Sequence, residues 1–211
     1  MRRIRGKKIV ELSAAEYAGL AGRYERIVRD VGTGDGKHAL QLARRHPAAL
    51  VVGLDAAKDN LRKVSGRTDT PNLLFLWAPV EQLPPELTGI AEVHVLMPWG
   101  SLLRGVLGDG SDTLAELARR CTPEARFLIT LNLHAWRPPV PEVGEHPEPD
   151  PDSALAALAE RYARQGWTLE RAHYLDDAGI AELATSWTRR LNSSRDRLDV
   201  LALAGRINAQ S

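Results

Sequence analysis

Asp30-Val31-Gly32-Thr33-Gly34-Asp35-Gly36-Lys37, followed by Val51-Val52-Gly53-Leu54-Asp55, is the stretch that decides the fold. It reads as a strand over 26–31, a glycine turn, a helix over 37–46 and a second strand over 50–55 ending in a carboxylate. That order is the front half of a nucleotide-binding crevice, where backbone can approach a ligand only if no Cβ intervenes.

The glycine spacing bears on the occupant. A dinucleotide fingerprint needs G-x-G-x-x-G, whereas this turn runs G-x-G-x-G and then places Lys37. Asp30, two places before the first glycine, repels a pyrophosphate and suits a cationic group such as a sulfonium or an amino group. Asp55, at the tip of the second strand, can accept hydrogen bonds from both hydroxyls of a ribose. A plain strand-to-helix link and a defective nicotinamide site remain the competing readings of the same residues. The pattern resembles the class I S-adenosylmethionine-dependent methyltransferases.

Outward from this unit, strands and helices keep alternating. Further strands are expected near 73–77, 91–97 and 126–133, and further helices near 58–65 and 111–121. Short apolar runs such as Val51 to Leu54 and Val93 to Met97 suit strands buried on both faces, as in a parallel sheet. A helix over 153–165, a strand over 167–174, a short helix over 177–184 and a last strand over 198–204 complete the chain. Before the core, residues 2–12 read as a hairpin turned at Gly6-Lys7, and Ser13-Ala14-Ala15-Glu16 as a capping box. The expected fold is α/β: a Rossmann-like, doubly wound, mostly parallel sheet with an antiparallel edge strand and an N-terminal β-hairpin, in one domain spanning 1–211. Arg137 to Pro151 holds six prolines and is expected to be a long loop.

Composition narrows the class. Cys121 is the only cysteine, so no internal disulfide forms, and no apolar run approaches 18 residues, so a cytoplasmic protein that does not span a membrane is expected. Net charge is +1, which excludes a globally basic nucleic-acid binder. The charge is nevertheless clustered: Arg2, Arg3, Arg5, Lys7 and Lys8, then Lys58, Arg62, Lys63 and Arg67, then Arg189, Arg190, Arg195 and Arg197. Taken singly, each cluster reads equally well as a solvated surface. The six histidines lack metal-ligand spacing, no metal is expected, and His94 and His134 read as core or strand histidines.

Two tryptophans stand apart. Trp99 follows the fourth strand in Leu96-Met97-Pro98-Trp99-Gly100-Ser101, where an open sheet has its ligand crevice. Trp187 lies in the polar, basic stretch Thr185-Ser186-Trp187-Thr188-Arg189-Arg190. Two aromatics on converging loops can sandwich one planar base, at about 1–3 kcal/mol per stack, enough to offset the few kcal/mol of extruding it. The segment is similar in place to the Asn/Asp-Pro-Pro-aromatic motif of base-modifying methyltransferases, whose Asn or Asp accepts from an exocyclic amine; that resemblance implies that Met97, in its stead, disfavours amino methylation. A ring nitrogen has its lone pair free at neutral pH and needs in-line placement rather than a general base. Trp77, Trp136 and Trp167 read as core residues, and Trp99 itself is open to the same reading.

The segments Asp30-Val-Gly-Thr-Gly-Asp-Gly-Lys-His38, Met97-Pro-Trp-Gly-Ser-Leu-Leu-Arg-Gly-Val-Leu107, Leu131-Asn-Leu-His-Ala-Trp-Arg-Pro138, Val143-Gly-Glu-His-Pro-Glu-Pro149 and Thr185-Ser-Trp-Thr-Arg-Arg190 resemble the Kam-type aminoglycoside-resistance methyltransferases across nearly the whole chain. That family modifies N1 of adenine 1408 of 16S rRNA in the 30S decoding site. The resemblance implies S-adenosyl-L-methionine as cofactor, with Gly32, His38, Asp55, Val80, Glu81, Leu96 and Ser101 at its pocket, beside Asp30 and Gly34 of the turn. It implies that Trp99 and Trp187 hold the flipped adenine, that Pro98 meets its amino group through backbone, and that Thr185 and Ser186 support the site. Arg190, Arg195 and Arg197 would grip the rRNA backbone, since the guanidinium fork matches phosphate. Family members carry a longer, lysine-rich stretch where Ser65 to Pro71 is short here, leaving Lys58, Arg62, Lys63 and Arg67 for that contact. The partner is then 16S rRNA within the 30S subunit, met by a monomer. A tRNA guanine-N7 methyltransferase and a non-catalytic RNA-binding module are the alternatives.

Overall fold

A computed structural model of the chain describes residues 1–65, 70–109, 112–137, 143, 146–185 and 200–208. In chain order the elements are β1 (Arg2–Arg5), β2 (Lys8–Glu11), α1 (Ala14–Ala21), β3 (Arg26–Val31), α2 (Lys37–Arg45), β4 (Ala49–Asp55), α3 (Lys58–Ser65), β5 (Leu73–Trp77) and β6 (Ile90–Leu96). Then come α4 (Gly100–Val106), α5 (Thr113–Ala118), β7 (Cys121–Asn132), α6 (Pro151–Arg164), β8 (Trp167–Tyr174), α7 (Asp177–Glu182) and β9 (Val200–Ile207). The strands form one sheet in the order β2-β1-β5-β4-β3-β6-β7-β9-β8.

β5, β4, β3, β6 and β7 are parallel, as the apolar runs on both faces require. β4 and β5 lie to one side of β3, and β6 and β7 to the other, so the winding reverses at β3. Ligands of open α/β sheets bind at the strands' carboxyl ends beside such a reversal. β9 runs antiparallel between β7 and β8, one strand in from the edge. The opposite edge is the expected hairpin, turned at Gly6-Lys7 and joined to the sheet by β1 against β5.

One face of the sheet packs Tyr17 of α1, Leu103 and Val106 of α4, Leu114 and Leu117 of α5, and Leu158 and Tyr162 of α6. The other packs Ala39, Leu42 and Ala43 of α2 and Leu61 of α3 against Ile4, Val28, Val51 and Phe75. The capping box forms as its spacing predicts: Glu16 N–H donates to Ser13 Oγ at 3.2 Å, and Ser13 N–H donates to Glu16 Oε2 at 2.8 Å.

Several boundaries move. Pro151 is the first residue of α6 rather than loop, because Asp150 accepts from the Asp152 and Ser153 N–H groups and a proline at the first helical position needs no donor. β7 begins at Cys121 instead of 126: Cys121 already pairs with Ile90, and Glu124 adopts φ +61° where the register shifts before Arg126 pairs with Glu92. α4 has no counterpart in the sequence expectation. Among the three tryptophans expected in the core, Trp167 is fully buried and Trp136 is partly buried against the core cluster. Trp77 ends β5 partly buried against the core on the other face, with the Arg2 guanidinium 3.9 Å from its ring centroid.

Candidate active site

The carboxyl ends of β3, β4, β5 and β6 enclose a cleft of about 300 Å³, at the lower end of the range for small-molecule sites. Seven expected residues line it: Gly32, Asp55, Val80, Glu81, Pro98, Trp99 and Ser101. Gly32 leaves β3 at φ +69°, and a Cβ there would lie 2.6 Å from Leu102 Cδ2, so the wall at this point must be bare backbone. Asp55 Oδ2 accepts from the Gly34 N–H and Oδ1 from the Ala57 N–H, both at 2.7 Å. Burial pushes the Asp55 carboxyl up from its ordinary value, and these two donors hold the rise in check. Each oxygen keeps another lone pair for hydroxyls entering the cleft.

Four expected cofactor residues do not line the cleft. Strand alternation turns Val31 toward it and Asp30 away; Asp30 is 2% exposed and accepts from Thr33 Oγ1 at 2.5 Å, bracing the turn from behind. Gly34 reaches the site only through its N–H on Asp55. Leu96 is buried with Met97, Ile180, Leu183 and Val200. His38, also buried, faces α7.

The opposite rim is the exit of β6. Met97 has φ +47°, an uncommon conformation for a side chain of its size, with strain of about 1–3 kcal/mol. It is held there by its N–H bonds to Thr130 O (2.9 Å) and Oγ1 (3.1 Å), and Thr185 Oγ1 lies 3.9 Å from its sulfur. The bend brings Pro98 and Trp99 over the cleft, and Trp99 remains 42% exposed although tryptophan is usually buried. α4 starts directly after it and delivers Ser101 and Leu102 to the lining.

Behind the cleft runs a chain of buried hydrogen bonds. His38 Nδ1 meets Leu183 O at 2.9 Å, His38 Nε2 meets His94 Nδ1 at 2.9 Å, and His94 Nε2 meets Glu92 Oε1 at 2.8 Å. A carbonyl only accepts, so His38 Nδ1 donates to Leu183 O. Burial lowers the affinity of His38 for a second proton. The His94 bond holds Glu92 below the ordinary carboxylate value, with Arg26 and His46 assisting.

Both shifts carry the same sign for stability. Unfolded His38 takes its proton first, near pH ~6.5, and the stabilisation from ionised Glu92 is lost as pH falls through its lowered folded value. Urea midpoints should therefore fall progressively from about pH 7 to below about pH 4. Glu92→Gln should flatten the acidic part of that curve; an unchanged curve would remove the network from the account.

On the flank, the ring of Trp77 stacks against Arg2 and lies 5.3 Å from Lys58 Nζ, and Arg62 pairs with Asp59 at 3.2 Å. Lys63 belongs to α3, but its side chain, like Arg67, Ser186, Trp187, Arg189, Arg190, Arg195 and Arg197, lies outside the described residues. Residues 2–206 match the family model described as NpmA: 16S rRNA (adenine(1408)-N(1))-methyltransferase. The chain belongs to this family.

Its relatives among the 16S rRNA (adenine(1408)-N(1))-methyltransferases include that of Streptoalloteichus hindustanus, 57% identical over 99% of this chain and 100% of that one. The Escherichia coli protein of the same description is 29% identical over 92% and 93% of the two chains. Among solved structures, the 16S rRNA methyltransferase KamB superposes with a TM-score of 0.94 at 57% identity, covering 99% of this chain and 100% of that one. A mutant of the enzyme from Catenulisporales acidiphilia, solved with cosubstrate SAM, gives 0.88 at 33% identity, covering 98% and 96%.

Within this family frame, sequence reasoning missed Ala56, Ala78, Pro79 and Leu102 as cleft residues. Pro79, two places beyond the end of β5, was the available signal, because the carboxyl end of a parallel strand adjoins the crevice. Leu102 gave none, since α4 itself was invisible.

Proposed function

We propose that the chain transfers a methyl group from S-adenosylmethionine to N1 of adenine 1408 of 16S rRNA in the 30S subunit, the modification through which Kam-type enzymes confer aminoglycoside resistance. The observation that carries the reading is the juxtaposition in one cleft of the Gly32 and Asp55 wall with the exposed ring of Trp99 on the opposite rim. Family membership over residues 2–206 supports it against the tRNA guanine-N7 and non-catalytic readings.

The cleft residues suit the cofactor on their own chemistry. Gly32 admits close approach of a ligand where a Cβ would collide. Asp55, steadied by two N–H donors, offers acceptors for a ribose, and Val80 and Glu81 close the far wall. Bound there, S-adenosylmethionine supplies a methyl group activated by the sulfonium for in-line displacement. Trp99 stacks on the extruded adenine, with Trp187 as its counterpart and Thr185 and Ser186 as support. Pro98, fixed by the Met97 bend, directs its backbone to the exocyclic amine. Adenine N1 carries its own lone pair, so these groups orient rather than abstract a proton. Lys58, Arg62, Lys63, Arg67, Arg190, Arg195 and Arg197 hold phosphates, which position the protein without reading sequence. The substrate places the enzyme in the cytoplasm, and the reading has it act as a monomer.

Incubating the protein with 30S particles and S-adenosylmethionine should produce a reverse-transcription stop at adenine 1408. Intact 30S accepting no methyl, or a stop at another nucleotide, overturns the reading.

A further inference from the structure

We infer that the N-terminal hairpin is a further rRNA-docking surface, in which Arg5, Lys7 and Lys8 bind phosphates alongside α3. The inference rests on the function proposed above and extends it to residues 1–11. Those residues together with 58–69 carry nine Lys or Arg against three Asp or Glu, in a chain whose net charge is only +1. Among the described residues, none of Arg2, Arg3, Arg5, Lys7 and Lys8 forms an ion pair, and Glu11 faces the N-terminal ammonium at 3.5 Å.

The structure joins this charge to the cleft. Trp77 Nε1 donates to the carbonyl of Ala56, a cleft residue, at 2.9 Å, and the same ring carries Arg2 and Lys58. From that rim β1 descends along the sheet edge for about 15 Å, at ~3.3 Å per residue, to the turn at Gly6-Lys7. The turn is fastened to the end of α3: Gly6 N–H donates to Ser65 Oγ at 2.8 Å, and Ser65 Oγ donates to Ile4 O at 2.9 Å. Between hairpin and helix opens a pocket of about 130 Å³ lined by Arg3, Arg5, Ser65 and Thr70. Hairpin and α3 thus form one continuous basic edge.

The hairpin's charge works against its own stability. Arg5 and Lys8 are directly opposed across the ladder, and Arg3 lies two residues from Arg5 on the same face. Like charges so placed destabilise a strand pair. An exposed edge strand bearing Ile9 and Val10 needs charge to prevent edge-to-edge pairing, but mixed signs would serve that purpose. A predominantly cationic edge is explained by an anionic partner, and phosphate contacts require no base-specific geometry.

The test is Lys7→Gln/Lys8→Gln in the full chain, both residues being exposed and remote from the cleft. Binding to 30S should weaken at least about fivefold, and the slope of log K against log salt should shrink by about 1.4–1.8, the value for two lost phosphate contacts. S-adenosylmethionine affinity by calorimetry should stay unchanged, and the melting temperature should hold or rise, because removing Lys8 relieves its opposition to Arg5. A variant that binds 30S with wild-type affinity and salt slope overturns the inference while leaving the proposed function standing. Loss of 30S binding together with a lowered melting temperature overturns it too, since that marks a structural role. Wild-type protein that fails to bind 30S refutes the proposed function itself.

Discussion

Trp99→Ala should lower single-turnover methylation of 30S by about 5- to 150-fold, the equivalent of one base stack at about 1–3 kcal/mol. The ring is 42% exposed at the head of α4, so deleting it opens no core cavity and the fold should survive. The adenine reaches the ring only once it has left its helix, so this stacking energy is available in the reactive complex and absent from the docked one. The loss should therefore appear in kcat, with 30S affinity held by the phosphate contacts. S-adenosylmethionine affinity should stay within about threefold, because the Gly32 and Asp55 wall lies on the other side of the cleft and offers the polar contacts. Trp99→Phe should recover part of the rate, since a smaller ring still stacks. If cofactor binding falls in parallel with rate, Trp99 is a wall of the cofactor pocket and the stacking role is wrong.

The parts of this site legible in the sequence are those set by local geometry. Glycines at 32, 34 and 36, a strand before them and Asp55 at the tip of the next strand fix the Gly32 and Asp55 wall of the cleft within 26 residues, and Trp99 could be located because it closely follows a strand. What the sequence hides depends on contacts between distant elements. His38 and His94 are 56 residues apart, and nothing in either neighbourhood signals that their rings meet. The resemblance places His38 at the cofactor pocket, yet in the fold it ties α2 to the Leu183 carbonyl beyond α7. α4 was hidden for a different reason. Seven residues with glycine at both 100 and 105 have weak helix propensity, and tertiary burial of Leu103 and Val106 supplies what the local sequence lacks. Trp77 packs partly buried against the core as expected, but no local signal showed that the hairpin beside β5 and the start of α3 also bring the Arg2 and Lys58 cations to its ring.

Gly205→Ala should cost at least about 3 kcal/mol, lowering the melting temperature by about 6–12 °C for a chain of this size, or prevent soluble expression. Gly205 sits in β9, between β7 and β8, opposite Phe127 and Leu169. A Cβ there would stand 1.9 Å from the Thr168 carbonyl oxygen and 3.0 Å from Phe127 Cε1. A backbone carbonyl cannot swing aside as a side-chain end can, so β8 must move away from β9 as a unit. The ladder is already irregular at this point, with an extra residue between Leu169 and Arg171, and the bulge draws the two backbones together. β8 begins with Trp167, which is fully buried, packs tilted at 59° against Phe127 with ring centroids 4.8 Å apart and donates its Nε1 proton to Leu114 O at 2.8 Å. Displacing the strand therefore breaks the aromatic packing that joins α5 and α6 to the sheet. Gly19→Ala is the matched control: the site is helical with nothing within 4 Å of the added Cβ, so stability should rise by about 0.5–1 kcal/mol. Differential scanning calorimetry of the two variants decides the point, and a melting temperature within about 2 °C of wild type for Gly205→Ala would show that the sheet absorbs the clash.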